Sequence, residues 1–232
     1  MAVQTLPIEL YFWPTPNGYK ISILLEELGV PYTTHFVNIG RGDQFKPAFL
    51  AIAPNNRMPA IVDPEGPDGR PISVFESAAI MMYLGDKFGR FYGRNARERV
   101  AVNEWLMWQM GGVGPMFGQY NHFRNAAPER IAYAMTRYGN EVHRLFRVMN
   151  TRLEGRDYVA GDYSIADMAL FGWIRNWGSR DIDIGEFPNV EAWHDRINAR
   201  PATVRGLALK APPSTEPALT KEQERKILYE QR

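Results

Sequence analysis

Ile8-Glu9-Leu10-Tyr11-Phe12-Trp13-Pro14-Thr15-Pro16-Asn17-Gly18 is the stretch on which the fold turns. Its first six residues alternate and are rich in aromatics, which predicts a strand. Thr15-Pro16-Asn17-Gly18 is a turn cluster. Ile21, Leu24, Leu25 and Leu28 then recur at helical spacing up to Gly29, a natural stop. Tyr32 to Asn38 is a second β-like run. A strand, a helix and a strand of these lengths form a βαβ unit, whose strands run parallel with a right-handed crossover.

The pattern then changes. Pro59-Ala60-Ile61-Val62-Asp63 and Pro71-Ile72-Ser73-Val74 are short strands around the turn-rich Pro64–Gly69 segment, so they predict a hairpin. Glu76-Ser77 opens a helix carrying Ile80, Met81, Tyr83 and Leu84. The order β-α-β then β-β-α is the thioredoxin-like arrangement. From about Asn95 the chain reads as helical. Val100–Met110 is rich in Trp, Leu and Met, and Pro128–Leu153 is long and amphipathic. Ser164-Ile165-Ala166-Asp167 is a capping-box pattern, with Asp in the place usually held by Glu, before an apolar run to Trp177. Val190–Ala199 is helical, and Pro201 ends it or starts the next turn. Ala211–Pro217 is linker-like, and Lys221–Arg232 is charged, either a short surface helix or disordered. The fold class is therefore α/β followed by all-α, with expected divisions at 1–90, 95–210 and a C-terminal extension at 211–232.

Composition narrows the chemistry. The 232 residues carry 27 Lys+Arg against 26 Asp+Glu, a formal charge of +1, with 45% hydrophobic and 23% charged residues. That balance offers no electrostatic case for nucleic acid or an anionic membrane. There is no cysteine, which excludes a disulfide framework, a thiolate metal site and a cysteine nucleophile. No apolar run approaches a membrane span. Met1–Pro7 lacks a basic region followed by an apolar stretch, so a cytoplasmic, soluble protein is expected.

Four weak local features share the first region. Asn17 at a helix start is either the N-cap or one of several donors facing an anion. Met58-Pro59 at the start of a strand holds either a cis bond that exposes the Met58 backbone or an ordinary trans proline. Glu76-Ser77 either caps the next helix or holds a carboxylate and an ammonium. Gln44 and Arg57 read by themselves as solvated surface. Trp105, Trp108, Met116, Phe117 and Tyr120 read as core and dimer packing. His122 and His143 lack the acidic or thiolate company a metal needs, so no metal is expected.

Together, these features resemble the glutathione transferase superfamily, over nearly the whole chain to about Leu209. Pro59 matches its strand-opening proline and Glu76-Ser77 its paired acid–serine motif. Gly161-Asp162-Tyr163-Ser164-Ile165-Ala166-Asp167 matches its capping box and hydrophobic staple. Tyr11–Gly18, Gly42-Asp43-Gln44-Phe45, Pro54–Ile61, Phe75-Glu76-Ser77 and Gly111–Met116 are similar to the bacterial and fungal branch called nu-class or Ure2p-like.

The resemblance implies a thioredoxin-like glutathione domain followed by an all-helical transferase domain. It implies glutathione, reduced or as the disulfide, as cosubstrate. Asn17 and Thr15 would stand at the sulfur, with Asn17 stabilising a thiolate electrostatically, because an amide cannot take a proton. Tyr11 would be core or groove wall. Ser77 would receive the γ-glutamyl carboxylate and Glu76 the amino group. The Met58 backbone, beside Pro59, would pair with the cysteinyl backbone of glutathione. Gln44 and Arg57 would lie toward the glycine end. Arg137 would reach the glutathione from the helical domain, or remain a solvated charge. The implied activity is glutathione-dependent disulfide reductase and peroxidase, using glutathione thiolates in a homodimer on small disulfides or hydroperoxides. The alternatives are a conventional conjugating transferase and a non-catalytic glutathione-binding regulatory protein.

Overall fold

The structure, a computed structural model, describes residues 4–213 and 217–230. Residues 1–3, 214–216 and 231–232 fall in the N-terminal stretch, the linker-like segment and the charged C-terminal stretch, and lie outside the described residues. The chain divides into two compact units. One runs up to Leu84 and takes in the chain from Arg205 onward; the other is Gly85–Val204.

In the first unit β1 (Ile8–Phe12), α1 (Pro16–Leu28) and β2 (Tyr32–Phe36) form the expected βαβ unit, with β1 and β2 parallel. After a short helical turn α2 (Pro47–Leu50) come β3 (Ala60–Asp63) and β4 (Ile72–Phe75), an antiparallel pair. The sheet order is β2-β1-β3-β4, with β3 antiparallel to β1. Ile8, Leu10 and Phe12 are the buried alternate residues of β1. Ile21, Leu24, Leu25 and Leu28 are buried on α1, as their spacing predicts. A Cβ on Gly18 would lie 2.2 Å from the Trp13 carbonyl oxygen, so the start of α1 meets the end of β1 backbone to backbone. Buried Asp63 accepts from the Tyr83 hydroxyl at 2.6 Å, tying β3 to α3 (Ser77–Phe88).

The second unit contains α4 (Ala96–Trp108), a π-helical turn at Gln109–Val113, α5 (Gly114–Asn125), α6 (Ala132–Arg152), α7 (Ile165–Ile174) and α8 (Pro188–Asn198). Pro201, as the first residue of α9 (Pro201–Ala208), starts a new helix. The apolar run after Ser164 leaves the α-helix at Ile174, short of Trp177, which begins a 3-10 turn. Lys221–Tyr229 forms a helix, α10, whose N-terminus is closed by a Thr220–Gln223 capping box.

Helix α7 is buried almost all round. The Ser164–Asp167 capping box forms as its sequence predicts. Asp167 does more than close the helix. Its carboxylate accepts from Ser164 N at 3.1 Å, Ser164 Oγ at 3.1 Å, Val159 N at 3.0 Å and Trp193 Nε1 at 2.9 Å. Burial pushes its carboxyl up to about 6 against the pull of these donors. Asp167→Ala leaves a set of buried donors unpaired, and each unsatisfied donor costs about 1–3 kcal/mol. The expected loss is about 3 kcal/mol or more, read as a lower urea midpoint at unchanged slope.

Candidate functional site

The site is built where α1 and α3 begin. Thr15 is the N-cap of α1, its hydroxyl oxygen accepting from Gly18 N at 3.2 Å. This corrects the expectation that Asn17 could be the cap. Pro16 takes the first helical position, where its missing N–H is no loss. Asn17 follows, half-buried in the first turn. The Thr15 hydroxyl also lies 3.5 Å from the Met58 sulfur, so the α1 cap and the entry to β3 touch. The Met58–Pro59 peptide bond is cis.

Glu76 stands just before α3 in the left-handed region, with φ of 67°. That conformation is uncommon for a residue with a side chain. It turns the chain from β4 into the helix, and the Glu76 carbonyl accepts from Ile80 N at 3.0 Å. Glu76 is exposed, and its carboxylate accepts from Asn55 Nδ2 at 3.0 Å. Ser77, only 4% exposed, is the first residue of α3.

The remaining expected residues are dispersed. Gln44 is 1% exposed, not solvated surface. Its amide donates to the Ile39 carbonyl at 3.2 Å, while its Oε1 is buried with no hydrogen-bond partner among the described residues. The tight turns at Asn38–Phe45 bury it, a tertiary effect invisible in its polar residue type. Arg57 is exposed beside Met58. Arg137 belongs to the other unit, on α6, 4.0 Å from Glu141. Tyr11 stacks on His35 at 4.9 Å and packs with Phe49 at 6.0 Å, and burial followed by the charge of Glu9 holds its hydroxyl above its ordinary value. Phe117 stacks on Phe146 and is fully buried, as the core reading of the helical aromatics requires.

One charged group escaped the sequence pattern. Lys20, on the second turn of α1, is fully buried, and its Nζ donates to Ser77 Oγ at 3.2 Å. The signal was there: Lys20 shares an i, i+4, i+8 stripe with buried Leu24 and Leu28. Burial pulls its amine down to about 7, opposed by the nearby charge of Glu76. Within the same unit, a cavity of about 590 Å³ lies beside Trp13, between the Asn38–Arg41 turn and Leu219, Glu224 and Leu228 of the C-terminal segment.

The glutathione S-transferase N-terminal domain family matches residues 15–87, and its C-terminal domain family matches residues 133–201. The disulfide-bond oxidoreductase YfcG of Escherichia coli K12 is 50% identical over 206 residues, 88% of this chain and 95% of its own. The protein belongs to the glutathione S-transferase family. Solved family structures agree. A Burkholderia graminis glutathione transferase with two glutathione molecules bound per subunit is 47% identical, with 87% of each chain covered and a TM-score of 0.84. A Pseudomonas putida glutathione transferase with one glutathione disulfide bound per subunit is 40% identical, covering 90% of this chain and 94% of its own, with a TM-score of 0.85.

The buried lysine is expected to make the stability of this protein depend on pH. Its folded pKa lies below the unfolded value, so the fold binds fewer protons than the unfolded chain between about 7 and 10.5. Stability from this group therefore rises with pH across that window. Lys20→Met removes the buried charge and is expected to stabilise the protein by roughly 1–4 kcal/mol at or below pH 7. The gain shrinks as the pH rises, which denaturant titrations across the window will read.

Proposed function

We propose that this protein is a glutathione-dependent disulfide reductase whose reacting thiols arrive with the ligand. The carrying observation is a chain without cysteine whose thioredoxin-like unit brings the α1 cap against Met58 and a buried Ser77 to the start of α3. Glutathione binds there, with Ser77 and the first amides of α3 holding the γ-glutamyl carboxylate and Glu76 the ammonium. The Met58 backbone pairs with the cysteinyl unit. Gln44 and Arg57 serve the glycine end. The name of the Escherichia coli relative and the ligands of the two solved relatives support this reading.

At the sulfur, the positive end of α1 and the Asn17 amide favour thiolate over thiol, because both offer donors and neither takes a proton. Thr15 uses its hydroxyl oxygen to cap the helix, so its part is to hold this turn in place beside the sulfur. The thiolate attacks one sulfur of the substrate disulfide, forming a mixed disulfide and expelling one substrate thiolate. A second glutathione thiolate attacks the glutathionyl sulfur, forming glutathione disulfide and expelling the other. The two glutathione protons end on the two released thiols. Small hydroperoxides are a second substrate class: two glutathiones yield glutathione disulfide, an alcohol and water. The active form is a cytoplasmic homodimer.

Purified protein is expected to reduce 2-hydroxyethyl disulfide with glutathione far faster than it conjugates chlorodinitrobenzene; the reverse order would return it to the conventional transferases. Asn17→Ala is expected to raise the bound-thiol pKa by about one unit and lower kcat/KM roughly tenfold. An unchanged thiol titration would remove Asn17 from this role.

A further inference from the structure

We propose that the cavity beside Trp13 receives an apolar arm of the disulfide substrate, and that the chain beyond Leu209 supplies one wall of that pocket. This rests on the proposed glutathione site and adds to it the kind of group the substrate carries.

The C-terminal segment is held at several points along its course. The Gly206 carbonyl accepts from Ser22 Oγ at 2.9 Å and the Leu209 carbonyl from the Tyr19 hydroxyl at 3.4 Å, both partners standing on α1. The Arg41 guanidinium then donates to the Pro217 carbonyl. A Cβ on Gly42 would lie 3.9 Å from Ile227 Cγ2, so α10 sits against the turn that follows β2. The cavity of about 590 Å³ lies between that turn and the segment. Its volume is within the ~300–1,000 Å³ usual for small-molecule sites. Trp13 and Ile39 line it from one side, and Ala218, Leu219 and Leu228 from the other. Leu219 and Leu228 are only half-buried, so an apolar ligand would take more of their surface out of water. Arg41 and Glu224 bring one charge of each sign, which selects neither an anion nor a cation. Position then decides the role. The Trp13 carbonyl accepts from Thr15 N at 2.7 Å, so the ring in the cavity and the cap of α1 belong to one tight turn. A group bonded to a sulfur held at that cap has the indole within reach, and an indole face or edge favours an aromatic or alkyl arm.

Calorimetric titration of the full-length protein with S-methylglutathione and S-benzylglutathione tests this without any chemistry at the sulfur. The two ligands differ only in the arm that the cavity would receive. Wild type is expected to bind S-benzylglutathione roughly tenfold more tightly. Leu219→Asp places a charge in the wall, and the two ligands are then expected to bind within about twofold of each other. Leu228→Asp repeats the test from α10. Because the wild-type comparison needs no variant, the proposal stays open to refutation even if a variant misfolds. Equal affinity of wild type for the two ligands overturns the pocket. A tenfold preference kept in both variants overturns the part given to the C-terminal segment. If wild type binds neither ligand, the glutathione reading itself falls, and the proposal with it.

Discussion

The start of α1 is held so close to the end of β1 that no side chain fits between them. Gly18 leaves the space that a Cβ would close against the Trp13 carbonyl. Thr15 closes the helix from the other side by accepting from the Gly18 amide. These two contacts aim the positive end of the helix and fix where Asn17 stands. They also bring the Thr15 hydroxyl to the Met58 sulfur, so that strand β3 enters beside the same helix end. The donors at this helix end are thus set by backbone, with little freedom to reorganise. Preorganised donors of this kind stabilise developing charge most effectively.

The second half of the site depends on a different economy. Glu76 occupies a left-handed conformation, Ser77 is buried, and behind Ser77 stands a buried lysine. A hydrophobic residue at position 20 would fit the face of α1 more comfortably. Asp167 in the helical unit is the contrasting case. It too is a buried charge, but donors converge on it from its own cap, from Val159 and from Trp193, and its task is structural.

Much of this was legible in the residues. Alternation in Ile8–Phe12, the turn cluster at Thr15–Gly18 and the proline-bounded strands around Pro64–Gly69 were enough for the order of elements. Ser164 and Asp167 announced the start of α7 by their spacing alone. The roles of single polar residues were harder to read. Gln44 looks like surface in a polar stretch, yet it is the buried middle residue of the Asp43–Phe45 turn. Asn17 looks like a cap, yet Thr15 two residues earlier takes that place, because Pro16 already has the dihedral angle of a first helical residue. Lys20 carries a charge, which normally marks the wet side of a helix, yet it is fully buried.

The sequence by itself determined the order of elements, the parallel βαβ start, the helical second half and the absence of a cysteine nucleophile. These follow from local periodicity, turn chemistry and the absence of one residue type, all of which are written along the chain. Only the tertiary structure decided which polar groups are taken out of water and what they meet there. Lys20 and Ser77 are 57 positions apart, and Thr15 and Met58 are 43 apart. Their pairing comes from the approach of α1 to the start of α3 and to the segment that leads into β3, and no local pattern encodes it.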